Sequence, residues 1–311
     1  MINYYKTINN KITELPSYER GCWVNLTSPT YKEIKFISDF FDVDSDSIKS
    51  ALDEEERSRL EIEDNHTLIL IDIPLDESDE KSVHYTTIPL GIILLDECII
   101  TVCTKKTNII NDFITHNIKD FYTFMKTRFI FQILHKNASY YLFYLRKINK
   151  MTTTIEKEIY SSMRNKQLIQ LLELEKSLVY FSTSLKANEL VLKKILRTQK
   201  VRKYEQDEDL LEDVIIENKQ AVEMAKIYGD ILSRIMDAFS AIISNNQNRV
   251  MQLLTSITLI TTIPTIVSGL FGMNVEGIPY FEHPAGFWIV LSYTALICLL
   301  VTFFMLRKKL L

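Results

Sequence analysis

The sequence predicts an α+β membrane protein: an N-terminal α/β domain, long stalk helices, and two transmembrane α-helices at the C-terminal end. Three observations carry this. The chain of 311 residues holds only 7 Gly and 7 Pro, where average usage supplies roughly 37 between them. Neither residue occurs between Gly91 and Gly229, and half of the fourteen fall within Pro264–Gly286. So few turn formers exclude a sandwich, a propeller and a low-complexity disordered chain. β-branched and apolar runs bounded by Pro, Gly and acidic clusters are confined to the first part of the chain. Finally, no charged residue occurs from Val250 to Val275 or from Ala285 to Leu306.

Taken in order, residues 1–117 read as the α/β domain. Val24–Leu26, Thr67–Ile73, Thr86–Leu95 and Cys98–Thr104 are the expected strands. Tyr31–Phe41 and Ser45–Leu52 are the expected helices, the second capped by Asp44 or Ser45. Asp39 to Asp64 holds eleven acidic and three basic side chains. That cluster reads as a solvated face or as a surface that attracts divalent cations.

Residues 118–250 read as helix nearly throughout. Lys193, Lys194, Arg197, Lys200, Arg202 and Lys203 are followed by Glu205, Asp207, Glu208, Asp209, Glu212 and Asp213. An antiparallel helix pair turning near Tyr204–Gln206 sets these ends side by side. Asp207–Phe271, interrupted at Gly229 and Pro264, then forms a stalk of roughly 100 Å at about 1.5 Å per residue. Residues 251–311 form the transmembrane hairpin: spans 251–271 and 287–306, an outer loop 272–286, and the basic tail 307–311. Each uncharged run exceeds the ~20 residues needed to cross ~30 Å of hydrocarbon.

Arg307, Lys308 and Lys309 follow the second span, whereas loop 272–286 has no Lys or Arg. By the positive-inside rule both termini are cytoplasmic in a multi-pass plasma-membrane protein. The first 25 residues carry charges and no apolar core run, so no signal peptide is expected. A net charge of -4 gives no bias toward nucleic acid. Cys22, Cys98, Cys103 and Cys298 are scattered and read as reduced thiols. There is no GxGxxG, GxxxxGK[ST], HExxH or GxSxG motif, and the five His are isolated. An enzyme is not expected.

The first span carries seven hydroxyl residues: Thr255, Ser256, Thr258, Thr261, Thr262, Thr265 and Ser268. On a helix, Met251, Thr255, Thr258, Thr262, Thr265 and Gly269 fall within an arc of about 80°. The stripe either hydrogen-bonds between helices or lines water. In the second case one stripe cannot enclose a pore, so several copies must surround an axis. Met251 and Leu254 then form an apolar constriction that gates by dewetting. Thr261 or Ser268 could help re-satisfy the backbone that Pro264 interrupts. A ring of Asn274 amides at the pore mouth would accept from the waters around Mg2+, which dehydrates reluctantly.

Phe271-Gly272-Met273-Asn274, closing the first of two C-terminal spans, resembles the signature of CorA-type magnesium transporters. Asn248-Arg249-Val250-Met251, the Thr-rich span with Pro264 and the basic tail extend the match. Glu54–Glu61 followed by Leu68–Pro74 looks like that family's N-terminal domain. Phe271 stands where members often have Tyr, and Thr262 where some carry Met.

The resemblance implies a funnel-shaped homopentamer in membrane lipid. Gly272, Met273 and Asn274 would be the selectivity filter. Thr265, Thr262, Thr258, Thr255 and Asn248 would line the pore, and Met251 and Leu254 would gate it. It implies a sensor for cytoplasmic Mg2+ between subunits, matched by Asp213 and an acid from Asp76, Glu77, Asp79 and Glu80; Asp76 and Asp79 are carried as its partners. The implied activity is Mg2+ uptake, extending to Co2+ and Ni2+, down the electrochemical gradient with feedback by internal Mg2+. A zinc-type, proton-coupled transporter and a membrane-tethered sensor are the alternatives.

Overall fold

The computed structural model describes residues 1–78, 83–115, 118–161, 165–198, 201, 207–273, 277–279 and 283–308. They fall into two compact units, Met1–Ile235 and Met236–Leu311. Asp79, Asn274, Lys309 and the expected turn near Tyr204–Gln206 lie outside the described residues.

The first unit is built on a seven-stranded sheet: β1 (Ile2–Ile8), β2 (Lys11–Leu15), β3 (Trp23–Thr27), β4 (Arg59–Ile62), β5 (Thr67–Asp76), β6 (Tyr85–Leu94) and β7 (Ile99–Cys103). The strand order is β2-β1-β3-β7-β6-β5-β4. Every neighbouring pair is antiparallel except β3 and β7, which run parallel with Trp23 opposite Ile99. Strands β5 and β6 form the longest ladder, from Thr67–Leu94 to Asp76–Tyr85.

Alternation along these strands divides the core into two layers. Leu68 and Leu70 join Val24, Leu26, Ile100 and Val102 against Ile34 and Ile37 of α1 (Tyr31–Phe41) and Ile48 of α2 (Ser45–Ser50). Ile69, Ile71 and Ile73 face the opposite layer. There they meet α3 (Asn108–Ile114), α4 (Lys126–Ser161) and α5 (Asn165–Arg197) through Phe113, Phe129 and Ile195. Trp23 is fully buried in this second layer, its ring centroid 5.1 Å from Phe129 and 5.0 Å from Tyr5. Its indole N–H, which needs a partner once buried, donates to Thr101 Oγ1 at 2.8 Å.

The helix starts follow local chemistry. Thr30 and Glu33 form a capping box on α1, which satisfies two orphan donors reciprocally. Of the two expected caps on α2, Asp44 is the one used: it accepts from Asp46 N–H. Helix α2 ends at Ser50, two residues short of the expected Leu52. Ala51, just beyond it, packs where Gly91 of β6 leaves room; a Cβ on Gly91 would lie 2.6 Å from Ala51 Cβ.

Strands β1, β2 and β4 are absent from the sequence-based expectation. β2 and β4 are the two edge strands of the sheet, and both carry charge. Charged edges blunt unwanted pairing but erase the apolar signal. β4 sits inside the acidic cluster, where Arg59 draws in Glu56 and Glu61, each at 2.7 Å.

Helix α6 (Glu208–Phe271) begins in the first unit. There Arg128 of α4 bonds Asp207, just before it, at 3.1 Å. Ser139 of α4 donates to Glu217 of α6 at 2.8 Å. The second unit holds the rest of α6, from Met236, and α7 (Gly286–Arg307).

Candidate functional site

Among the described residues two helices, α6 and α7, are long and apolar enough to cross a membrane. Leu254, Leu259, Ile266 and Leu270 of α6, and Phe287, Leu299 and Phe303 of α7, are all exposed in the second unit. Apolar surface on this scale is not sustained in water and marks a lipid or protein contact.

The threonine stripe is exposed along its whole length. Its hydroxyls are spent in a uniform way. Thr255 donates to Met251 O at 2.8 Å, Thr258 to Leu254 O at 2.8 Å, Thr262 to Thr258 O at 2.7 Å and Thr265 to Thr261 O at 3.0 Å. Each hydroxyl has one proton and two lone pairs. With the proton committed to the helix's own backbone, what the stripe offers outward is oxygen acceptors. None of these four bonds reaches α7, so within the chain they are not the interhelical glue that the stripe allowed.

Asn248, Met251 and Leu254 continue the exposed face below the stripe. At the other end Gly272 N–H donates to Ser268 O at 2.9 Å and closes the helix. A Cβ on Gly272 would stand 3.0 Å from that carbonyl. Met273 N–H follows to Leu270 O at 3.4 Å.

Pro264 has no N–H, so the carbonyl of Ile260, four residues earlier, loses its usual helical donor. Neither Thr261 nor Ser268 serves it: Thr261 bonds Ile257 O and Thr258 O. Cys298 on α7 does, with Sγ 3.9 Å from Ile260 O. The sequence flagged the missing donor, but it could not say which residue of α7 lies opposite. Above this point Pro264, Phe271, Phe287 and Leu291 line an apolar pocket of ≈ 480 Å³.

The expected sensor residues lie in the first unit. Asp213 is exposed on α6, with no ion pair among the described residues. Asp76, at the end of β5, is held by Lys147 of α4 at 3.0 Å and accepts from Ser78 N–H at 3.1 Å. Burial opposes ionisation of Asp76, yet these donors outweigh it and hold its carboxyl below the ordinary range. No group of three His, Cys, Asp or Glu side chains among the described residues could hold a metal ion. Arg307 closes α7, and Lys308 lies over the Phe304 ring at 5.4 Å.

Comparison with known proteins places this arrangement. The family model described as "CorA-like Mg2+ transporter protein" matches residues 18–308. The cobalt/magnesium transport protein CorA of Methanocaldococcus jannaschii is 25% identical over 312 residues, covering 97% of this chain and 95% of the relative. That of Thermotoga maritima is 20% identical over 292 residues, covering 92% and 82%. The complete structure of the CorA magnesium transporter from Methanocaldococcus jannaschii superposes with a TM-score of 0.83 at 24% identity, over 99% of this chain and 98% of that one.

Proposed function

The chain belongs to the CorA-like Mg2+ transporter family, a family of transporters and not of enzymes, and from that premise we propose that it carries hydrated Mg2+ into the cell through a pore lined by α6. Five copies surround the axis in the plasma membrane, both termini are cytoplasmic, and α7 faces lipid. Co2+ shares the path, as the names of the relatives suggest, and so does Ni2+ in this reading.

The observation that carries this reading is the direction of the threonine hydroxyls. A hydrated cation presents water hydrogens outward, and Mg2+ gives up its waters reluctantly. Lone pairs of Thr255, Thr258, Thr262 and Thr265 are free to accept from those waters, because the protons are bonded within α6. Such a surface suits a hydrated cation without a fixed charge.

Gly272, Met273 and Asn274 form the outer filter, Met251 and Leu254 the apolar gate, and Asn248 its inner mouth. An inside-negative potential supplies about 2.3 kcal/mol per charge per 100 mV, roughly 4.6 for a divalent ion. Asp213 senses internal Mg2+ with carboxylates of a neighbouring copy, Asp76 and Asp79 being the candidates. In this reading the site forms between two copies, and among the described residues no group of three such side chains within one chain could hold a metal ion. Bound Mg2+ then stabilises the closed assembly, and its loss releases it.

The test replaces Thr258, Thr262 and Thr265 together by Val, which keeps the shape and removes the acceptors. Mg2+ influx into proteoliposomes should fall at least about tenfold, with Ser at the same positions retaining flux. Unchanged influx through an intact valine variant would sink the proposal.

A further inference from the structure

Strand β5 reads Leu68-Ile69-Leu70-Ile71-Asp72-Ile73, a carboxylate inside an otherwise apolar run. The donors around Asp72 pass over its carboxyl group. Asn137 Nδ2, Tyr141 Oη and Asn188 Nδ2 all donate to its peptide oxygen, at 2.9, 3.2 and 2.7 Å. An ionised carboxylate is the stronger acceptor and would draw such donors to itself.

Among the described residues, Ser58 and Ser184 stand close enough to bond the carboxyl group. The Ser58 proton is committed elsewhere, and Ser184 is engaged with a second hydroxyl. Ser58 donates to Asn188 Oδ1 at 3.1 Å, and Ser184 to Thr87 Oγ1 at 3.0 Å. Each hydroxyl has a single proton, so satisfying ionised Asp72 takes breaking the Ser58 bond, reversing the Ser184–Thr87 bond or admitting water. In the same cluster Asn137 Oδ1 is buried and receives no donor. A protonated Asp72 adds the one donor that this acceptor-rich network lacks.

Among the described residues no cation is paired with this carboxyl. Tyr141, the one other titratable group in the cluster, is fully buried, and burial pushes its hydroxyl well above its ordinary range, so it stays neutral. Arg59, next to Ser58, is taken by Glu56 and Glu61, and Lys147, on α4, by Asp76. Burial accordingly raises the Asp72 carboxyl, with the two serines opposing the shift.

We propose that Asp72 is a proton-operated switch in the N-terminal unit: proton uptake on mild acidification tightens α4 and α5 on the sheet, and proton loss loosens them. The sign follows from linkage. A carboxyl raised in the folded state stabilises it fully below the unfolded value, and that contribution is lost as pH rises through the folded value. This is opposite to the usual acid lability of paired carboxylates. It does not depend on the transport reading.

Hydrogen exchange on the full-length protein tests it, comparing wild type with Asp72→Asn at about pH 8 and about pH 5, after division by intrinsic rates. At pH 8 the amides of α5 around Ser184–Asn188 should exchange more slowly in the variant, by up to about tenfold for each pH unit that separates the folded Asp72 midpoint from the unfolded value of about 3.9. At pH 5 the difference should shrink, and it should vanish below the unfolded value of about 3.9. A ratio that is the same at both pH values would overturn the proposal. Infrared titration of wild-type protein labelled with 13C-aspartate provides a reading without substitution. A protonated-carboxyl band persisting above the ordinary aspartate range supports the switch, and its absence refutes it.

Discussion

Replacing Asn188 by Ala removes a side chain that acts as a piece of β-strand. Pairing between β4 and β5 stops at Arg59–Leu70. Two residues on, Asp72 stands opposite Pro89, which has no N–H to give. Asn188 of α5 fills the open edge: its Oδ1 accepts from Asp72 N–H at 2.9 Å and its Nδ2 donates to Asp72 O at 2.7 Å. The carbonyl keeps two other donors, Asn137 and Tyr141, so its loss is small. Ser58 can turn to the Asp72 carboxyl. The Asp72 N–H is left without a partner, and a buried unsatisfied donor costs about 1–3 kcal/mol. With the emptied volume at a position only 2% exposed, the total is roughly 2–4 kcal/mol. At about 2–4 °C per kcal/mol for a unit of this size, thermal unfolding followed by circular dichroism should move down by roughly 4–16 °C. A shift within that of an ordinary surface substitution, about ±0.5 kcal/mol, would refute the strand-mimic argument.

Two further expectations rest on equally local geometry. Gly91→Ala places its Cβ 2.6 Å from Ala51 Cβ; overpacking should cost about 1–3 kcal/mol, and Ala51→Gly in the same chain should recover most of it in a denaturant titration. Asp76→Asn should lower stability at neutral pH, because the wild-type carboxyl lies below its ordinary range in the fold. A depressed carboxyl contributes above the unfolded value of about 3.9 and loses that contribution as pH falls through the folded one. The gap in melting temperature between wild type and variant should therefore close in acid, and a gap that widens there would contradict the Ser78 and Lys147 donors as its origin.

What the sequence made legible follows from how each element is stabilised. Buried strands β3, β5, β6 and β7 announce themselves because both of their faces are apolar. Edge strands β2 and β4 do not, since their charged residues answer to solvent and break up the apolar run, although each pairs with the strand next to it in sequence. Capping at Thr30 and Asp44 is local chemistry and could be read directly. The threonine stripe was visible as spacing. The direction of its hydroxyl protons required the backbone of α6. Cys298 and the Asp72 cluster were out of reach, because each depends on which residues of other elements arrive opposite: Ile260 in one case, Asn137 and Asn188 in the other.

The central claim is that α6 lines a path for a hydrated divalent cation ending at an amide ring. The direct test is Mg2+ influx into proteoliposomes of the full-length protein under an inside-negative potential, comparing wild type with Asn274→Ala and running Co2+, Ni2+ and Zn2+ as competitors. The account predicts influx through the wild type that rises with the potential, is blocked by Co2+ or Ni2+, and falls at least about tenfold in the variant. Equal influx through both proteins, or none through wild-type protein that elutes as a monomer, would contradict it.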